Sequence, residues 1–128
     1  MPQEQLSAVP VVLIVESDVL LRLVTASKLR EAGFEVIEAA NPVEALRVLD
    51  RFPVDVLFSD IDMPGKLDGL ALAQWVHRTK VDTKIVLTSR ATRAPGDVKK
   101  YASFLPKPYA EKDVERHLRS VLSSSQGE

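Results

Sequence analysis

Five short apolar runs alternate along the chain with stretches whose apolar residues recur at helical spacing. The first run, Val11-Val12-Leu13-Ile14-Val15, is continuous and β-branched. That is the pattern of a strand buried on both faces, and hence of a parallel sheet. Phe34-Glu35-Val36-Ile37-Glu38 predicts a second, more exposed strand. Val54 to Ser59, Lys84 to Thr88 and the short Ser103-Phe104-Leu105 predict three more. Asp18 is placed to cap the first helix, whose inward stripe reads as Leu21, Val24, Leu29 and Ala32, with Gly33 ending it. Asn41-Pro42-Val43-Glu44 starts a second: Asn at the cap, Pro at the first position, Glu for a capping box. Its apolar side is Ala45, Leu46, Val48 and Leu49. A third helix is expected from near Asp68 through Leu70, Leu72, Ala73, Trp75 and Val76. The last, after Pro108, buries Val114, Leu118, Val121 and Leu122. Between Arg90 and Lys100, Pro95-Gly96 interrupts the pattern, so any helix there is short and starts late. Strands alternating with helices give an α/β, doubly wound, five-stranded parallel sheet, because right-handed crossovers place helices on both faces.

Composition narrows the function classes. The 128 residues suffice for one domain with a real core. Residues 1–9 read as a flexible lead, 10–123 as the folded domain and 124–128 as a flexible tail. No cysteine is present, which excludes disulfides, thiolate metal sites and thiol catalysis. Net charge is -1 and no recognition element is visible, so no direct nucleic-acid role is expected. Arg90, Arg93, Lys99 and Lys100 read as a solvated face. With no positive leader and no apolar stretch long enough for a bilayer, a cytoplasmic protein without a membrane partner is expected. His77 and His117 lie far apart, without metal-ligand spacing.

The chemistry gathers at strand ends. Asp60 closes the third apolar run, where open α/β sheets place their sites. Glu16-Ser17-Asp18 follows the first run, Thr88-Ser89 closes the fourth, and Lys107 lies between two prolines after the fifth. Each has a bland reading alone. Asp60 suits the turn before Met63-Pro64, Glu16 and Asp18 a helix N-terminus, Thr88 a strand end, and Lys107 a solvated loop. Together, an acid, a hydroxyl and a lysine around an aspartate point to a magnesium-dependent phosphoryl acceptor.

Four segments in order, Val12-Leu13-Ile14-Val15-Glu16-Ser17-Asp18, Asp60-Ile61-Asp62-Met63-Pro64-Gly65, Leu87-Thr88-Ser89 and Leu105-Pro106-Lys107-Pro108-Tyr109, resemble the receiver domain of two-component response regulators. The resemblance implies a flavodoxin-like strand order 2-1-3-4-5. It also implies that Asp60 accepts a phosphoryl group from a histidine kinase or histidine phosphotransfer protein, with Mg²⁺ as cofactor. Glu16, Asp60 and the Asp62 backbone carbonyl would hold the metal, and Lys107 and Thr88 would engage phosphoryl oxygens. Asp62 and Arg90 stand where the family tunes dephosphorylation, and Phe104 stands at its rotamer switch.

The chain also departs from the pattern. Ser17 replaces a metal-binding acid, so weaker Mg²⁺ binding is expected, with Asp18 either compensating in part or serving as a cap. Phe104 lacks a hydroxyl and reads equally as core or as switch. The family's fourth helix is expected to be shortened or irregular, which puts dimer interfaces using it in doubt and favours a monomer or weak dimer. The loop Gly65-Lys66-Leu67-Asp68-Gly69 is about one residue longer than usual, a tolerated insertion. Leu20 and Leu23 widen the first helix's apolar face, either to dock a phosphotransfer bundle or to pack on a neighbouring helix. No output domain is visible, so a single-domain or excised receiver is expected, a signalling module and not an enzyme. The alternatives are a pseudo-receiver that binds partners without phosphorylation, supported by Ser17, and a haloacid-dehalogenase-type phosphatase, supported by Asp60-Ile61-Asp62.

Overall fold

The computed structural model describes residues 9–65 and 67–124. Most of the expected lead and tail, and Lys66 of the long loop, lie outside the described residues. Five strands form one parallel sheet: β1 Val11–Val15, β2 Glu35–Ala39, β3 Val56–Asp60, β4 Lys84–Ser89 and β5 Ser103–Pro106. Their order is β2-β1-β3-β4-β5. The helices are α1 Val19–Glu31, α2 Pro42–Arg51, α3 Gly69–Thr79 and, after β5, α4 Glu111–Ser124. No α-helix joins β4 to β5. Pro95 and Gly96 leave only a 3-10 turn at Val98–Lys100, whose Val98 is buried.

Alternation along the strands builds two cores. Leu13, Val15, Leu57, Ile85 and Leu87 face α2 and α3, where they meet Ala45, Leu49, Leu72, Ala73 and Val76. Val12, Ile14, Val56, Phe58 and Val86 face the opposite way, onto Ala26 and Leu29 of α1 and Val114 and Leu118 of α4. Both faces are covered, which is why β1, β3 and β4 read as unbroken apolar runs.

The caps form with one change. Asp18 Oδ1 accepts from the Leu21 amide at 3.0 Å, and Asp68 Oδ1 from the Ala71 amide at 2.8 Å. Asn41 Oδ1 accepts from the Glu44 amide, but the Glu44 carboxylate returns to Ala40 N–H, one residue before the expected partner. Gly33 follows α1 with φ of 102°, the left-handed position that glycine tolerates.

The predicted stripe on α1 needs correction. Thr25, Ala26 and Leu29 are buried, Leu21 and Ala32 are half-buried, and Val24 is 46% exposed. Small residues let the helix lie close to the sheet, and Thr25 Oγ1 meets the Tyr109 hydroxyl at 3.3 Å. The larger Val19, Leu20, Leu23 and Val24 are left facing outward.

Candidate functional site

Parallel strands bring their carboxyl ends to one edge of the sheet, and the candidate residues stand there. Glu16 extends β1 by one residue, its amide donating to the Ala39 carbonyl at 3.1 Å. Asp60 ends β3 and pairs in register with Thr88 of β4. Lys107 follows β5, its amide donating to the Ser89 carbonyl at 2.8 Å, and the Lys107–Pro108 peptide is cis.

Lys107 Nζ lies 3.0 Å from Asp60 Oδ2 and 2.8 Å from Glu16 Oε1. The contact to Asp60 is an aligned hydrogen bond, whereas that to Glu16 is an ion pair without hydrogen-bond alignment. The other carboxylate oxygens are held by backbone: Asp60 Oδ1 by the Asp62 amide at 3.0 Å, Glu16 Oε2 by the Asp18 amide at 3.0 Å. Both acids are 4% exposed. Burial alone would lower the Lys107 pKa, but the close carboxylates of Glu16 and Asp60 outweigh it and hold the group above the ordinary lysine value. The ammonium therefore stays charged at neutral pH.

These groups open onto a cavity of about 490 Å³ lined by Glu16, Ser17, Asp18, Asp60, Asp62, Arg90 and Lys107. Four acids against two cations give that lining a formal charge of -2. An anionic ligand would be repelled unless a cation entered with it. Glu16 and Asp60 share one ammonium as neighbour, so two hard-oxygen donors converge, as a magnesium-class ion requires. Glu16, Asp60 and the Asp62 backbone carbonyl could hold such an ion, with Ser17 also lining the cavity. Among the described residues, no cluster of three or more acids, histidines or cysteines has a metal-holding arrangement.

Thr88 is 2% exposed, and its hydroxyl has no hydrogen-bond partner among the described residues. A buried unsatisfied hydroxyl costs about 1–3 kcal/mol, and Thr88 is next to Asp60 in strand register without lining the cavity. Phe104 is half-buried against the core and does not line the cavity. The two histidines are occupied locally: His77 stacks on Tyr101 at 4.5 Å, and His117 Nδ1 bonds the Ser103 hydroxyl at 3.0 Å.

Two features escaped the sequence reading. The Asp62 carboxylate is bound across the cavity rim to Ser89 and Arg90. Gly69 touches the Asp60 backbone so closely that a Cβ there would meet its carbonyl oxygen. An Asp-Gly pair at a helix start hinted at the second, whereas nothing local signalled the first.

Known proteins resemble this chain over most of its length. The family model "Response regulator receiver domain" matches residues 12–119. The chain is 33% identical to "Sensor kinase CckA" of Brucella abortus (strain 2308) over 91% of its own length but 13% of the kinase. It spans about half of the transcriptional regulators it also matches. Among solved structures, a CheY-like receiver domain protein from Methanospirillum hungatei JF-1 superposes with a TM-score of 0.85 at 21% identity, covering 94% of this chain and 98% of that one. The response regulator TrrA of Thermotoga maritima, solved in complex with Mg(2+)-BeF, gives 0.80 at 25% identity, covering 88% and 99%.

Proposed function

The chain belongs to the response regulator receiver family, and on that premise we propose that it is a phospho-accepting receiver in which Asp60 takes the phosphoryl group. The observation that carries this reading is the Lys107 ammonium bridging Asp60 and Glu16 at the floor of an acid-lined cavity. Asp60 Oδ2 is the nucleophile, and a phosphohistidine of a kinase or phosphotransfer protein is the donor. Oδ2 forms the new bond to phosphorus as the bond to the histidine nitrogen breaks, and the electron pair leaves with the imidazole. Lys107 then neutralises phosphoryl oxygens as a point charge. The unpartnered Thr88 hydroxyl donates to another, drawing the end of β4 inward. Glu16, Asp60 and the Asp62 carbonyl would hold Mg²⁺, which supplies charge neutralisation and a template. Ser17 adds a neutral donor there, so metal affinity is expected to be modest.

The donor's docking surface adjoins the cavity. Val19, Leu20, Leu23 and Val24 expose 55%, 73%, 48% and 46% of their surface, so among the described residues Leu20 and Leu23 are not buried against a neighbouring helix. Beside them a mainly apolar cleft of about 320 Å³ is lined by Leu21, Arg90, Lys107, Pro108 and Tyr109. An apolar helix face of a phosphotransfer protein fits such a surface.

In this reading the protein is a signalling module that acts only on its own phosphoryl group. Among the described residues no helix is long and apolar enough to cross a membrane, and a cytoplasmic setting is consistent with the donor class. Arg90 and Asp62, which line the cavity, are assigned to tuning hydrolysis in this reading, and Phe104 of β5 to the switch. Ser17, whose side chain makes no hydrogen bond among the described residues, supports the pseudo-receiver as a second reading. Incubation with acetyl phosphate and Mg²⁺ separates them. Intact mass gains one phosphoryl group in the wild type and none in Asp60→Asn if Asp60 is the acceptor. No gain in either favours the pseudo-receiver.

A further inference from the structure

Ser89 takes no part in the chemistry above, yet its side chain is 3% exposed and fully engaged. Its hydroxyl accepts from the Ala91 amide at 3.1 Å and donates to Asp62 Oδ2 at 2.7 Å. The Arg90 amide gives the same Asp62 oxygen a second donor at 3.1 Å. Asp62 therefore faces two ways. Its amide holds the Asp60 carboxylate, and its own carboxylate is drawn off to the β4 tip. Hydrogen bonds from hydroxyls to carboxylates are short and strong, so Ser89 is the tighter of the two tethers. The tether joins positions 27 residues apart in the chain, through one side chain that lines the cavity.

We propose that Ser89 is a positioning residue that sets the lifetime of the acyl phosphate by holding the Asp62 carboxylate on the β4 side of the cavity. The proposal rests on the phospho-acceptor reading. In hydrolysis, a water oxygen bonds to phosphorus and the bond from phosphorus to the Asp60 oxygen breaks. The electron pair stays on the regenerated carboxylate, and both water protons leave on dihydrogen phosphate. A carboxylate that accepts a hydrogen bond from the attacking water orients and activates it. While Ser89 and Arg90 occupy Oδ2, Asp62 is kept from that task. Without the serine hydroxyl, one weaker tether remains and the carboxylate turns into the cavity.

The test is a decay series on protein loaded with acetyl phosphate and then freed of donor, read by intact mass. Ser89→Ala is expected to lose its phosphoryl group at least about threefold faster than wild type, a small part of what a well-placed base supplies. Ser89→Thr, which keeps the hydroxyl, restores slow decay. In an Asp62→Ala background, Ser89→Ala makes no difference. Equal decay in wild type and Ser89→Ala overturns the proposal. So does an acceleration that persists without Asp62, because loop loosening would then be the cause. The Arg90 amide resonance in unphosphorylated protein reads the tether directly. It shifts in Ser89→Ala and Asp62→Ala, and no shift in either also overturns the proposal. A wild type that takes no phosphoryl group sinks the phospho-acceptor reading and the lifetime claim with it. An adduct with unchanged decay sinks the Ser89 claim alone.

Discussion

Replacing Gly69 with alanine tests whether the β3 tip and α3 meet backbone to backbone. Gly69 is the first residue of α3, directly after the Asp68 cap. A Cβ placed there would lie 1.9 Å from the Asp60 carbonyl oxygen and 2.8 Å from both the Asp60 carbonyl carbon and Ile61 Cα. All three are backbone atoms, so no rotamer change relieves the overlap. Gly69 is not among the glycines with positive φ, which are Gly33, Gly65 and Gly96, so the cost is one of volume and not of backbone conformation. Carbon–oxygen contacts settle near 3.3–3.6 Å, so α3 or the β3 tip must retreat by about 1.5 Å. Overpacking of this kind costs about 1–3 kcal/mol, and a rigid neighbour places Gly69 at the upper end. The helix propensity of alanine returns at most about 1 kcal/mol, and less at a helix end. For a net loss of about 2 kcal/mol and a urea slope of about 1.5 kcal/mol/M, the unfolding midpoint falls by about 1.3 M. The same retreat moves the Asp60 carbonyl, to which Ser59 Oγ donates at 3.1 Å, so phosphorylation by acetyl phosphate should slow as well. Urea unfolding followed by Trp75 fluorescence gives the first number and intact mass the second. A midpoint within about 0.3 M of wild type, with normal phosphorylation, would refute the close packing.

Three further outcomes are expected. Lys107→Met leaves Glu16 and Asp60 unpaired and costs about 3 kcal/mol near neutral pH by urea unfolding. Because the folded-state pKa of Lys107 is raised, its contribution is complete below the ordinary lysine pKa and disappears as pH rises through the folded value. The gap between wild type and variant should therefore stay level through neutral pH and close only at alkaline pH, so closure already at neutral pH would contradict the ion-pair assignment. Ser17→Asp adds a carboxylate to the cavity and should tighten Mg²⁺ binding about tenfold by calorimetry, since ligand charge governs such affinities; unchanged affinity would place Ser17 outside the metal site. Leu20→Asp with Leu23→Asp should change stability by less than about 0.5 kcal/mol, because both residues face outward. The pair should leave acetyl phosphate labelling intact while slowing transfer from a phosphohistidine protein, and equal slowing with both donors would argue against a docking role.

Much of this molecule can be read from its residues, and the limits have physical causes. β1, β3 and β4 announce themselves because both faces are buried, so every residue in the run is apolar. Asp18, Asn41 and Asp68 announce helix starts because a cap is a local event within three residues. Asp60, Glu16 and Lys107 could be brought together because strand ends in a parallel sheet share one edge. The buried face of α1 is not legible in the sequence because apolar periodicity follows large side chains, whereas close packing on the sheet selects Thr25 and Ala26. The tether from Ser89 to Asp62 left no trace in either segment, since it depends on how two loops lie in space. The close approach of Gly69 to Asp60 is equally non-local.

The central claim is that Asp60, and no neighbouring acid, carries the phosphoryl group. Borohydride reduction of protein treated with acetyl phosphate and Mg²⁺, followed by peptide mapping, tests it most directly, because an aspartyl phosphate is converted to homoserine at the residue that held it. The account predicts homoserine at position 60 alone. Reduction at Glu16, Asp18 or Asp62, or at no position, would contradict it.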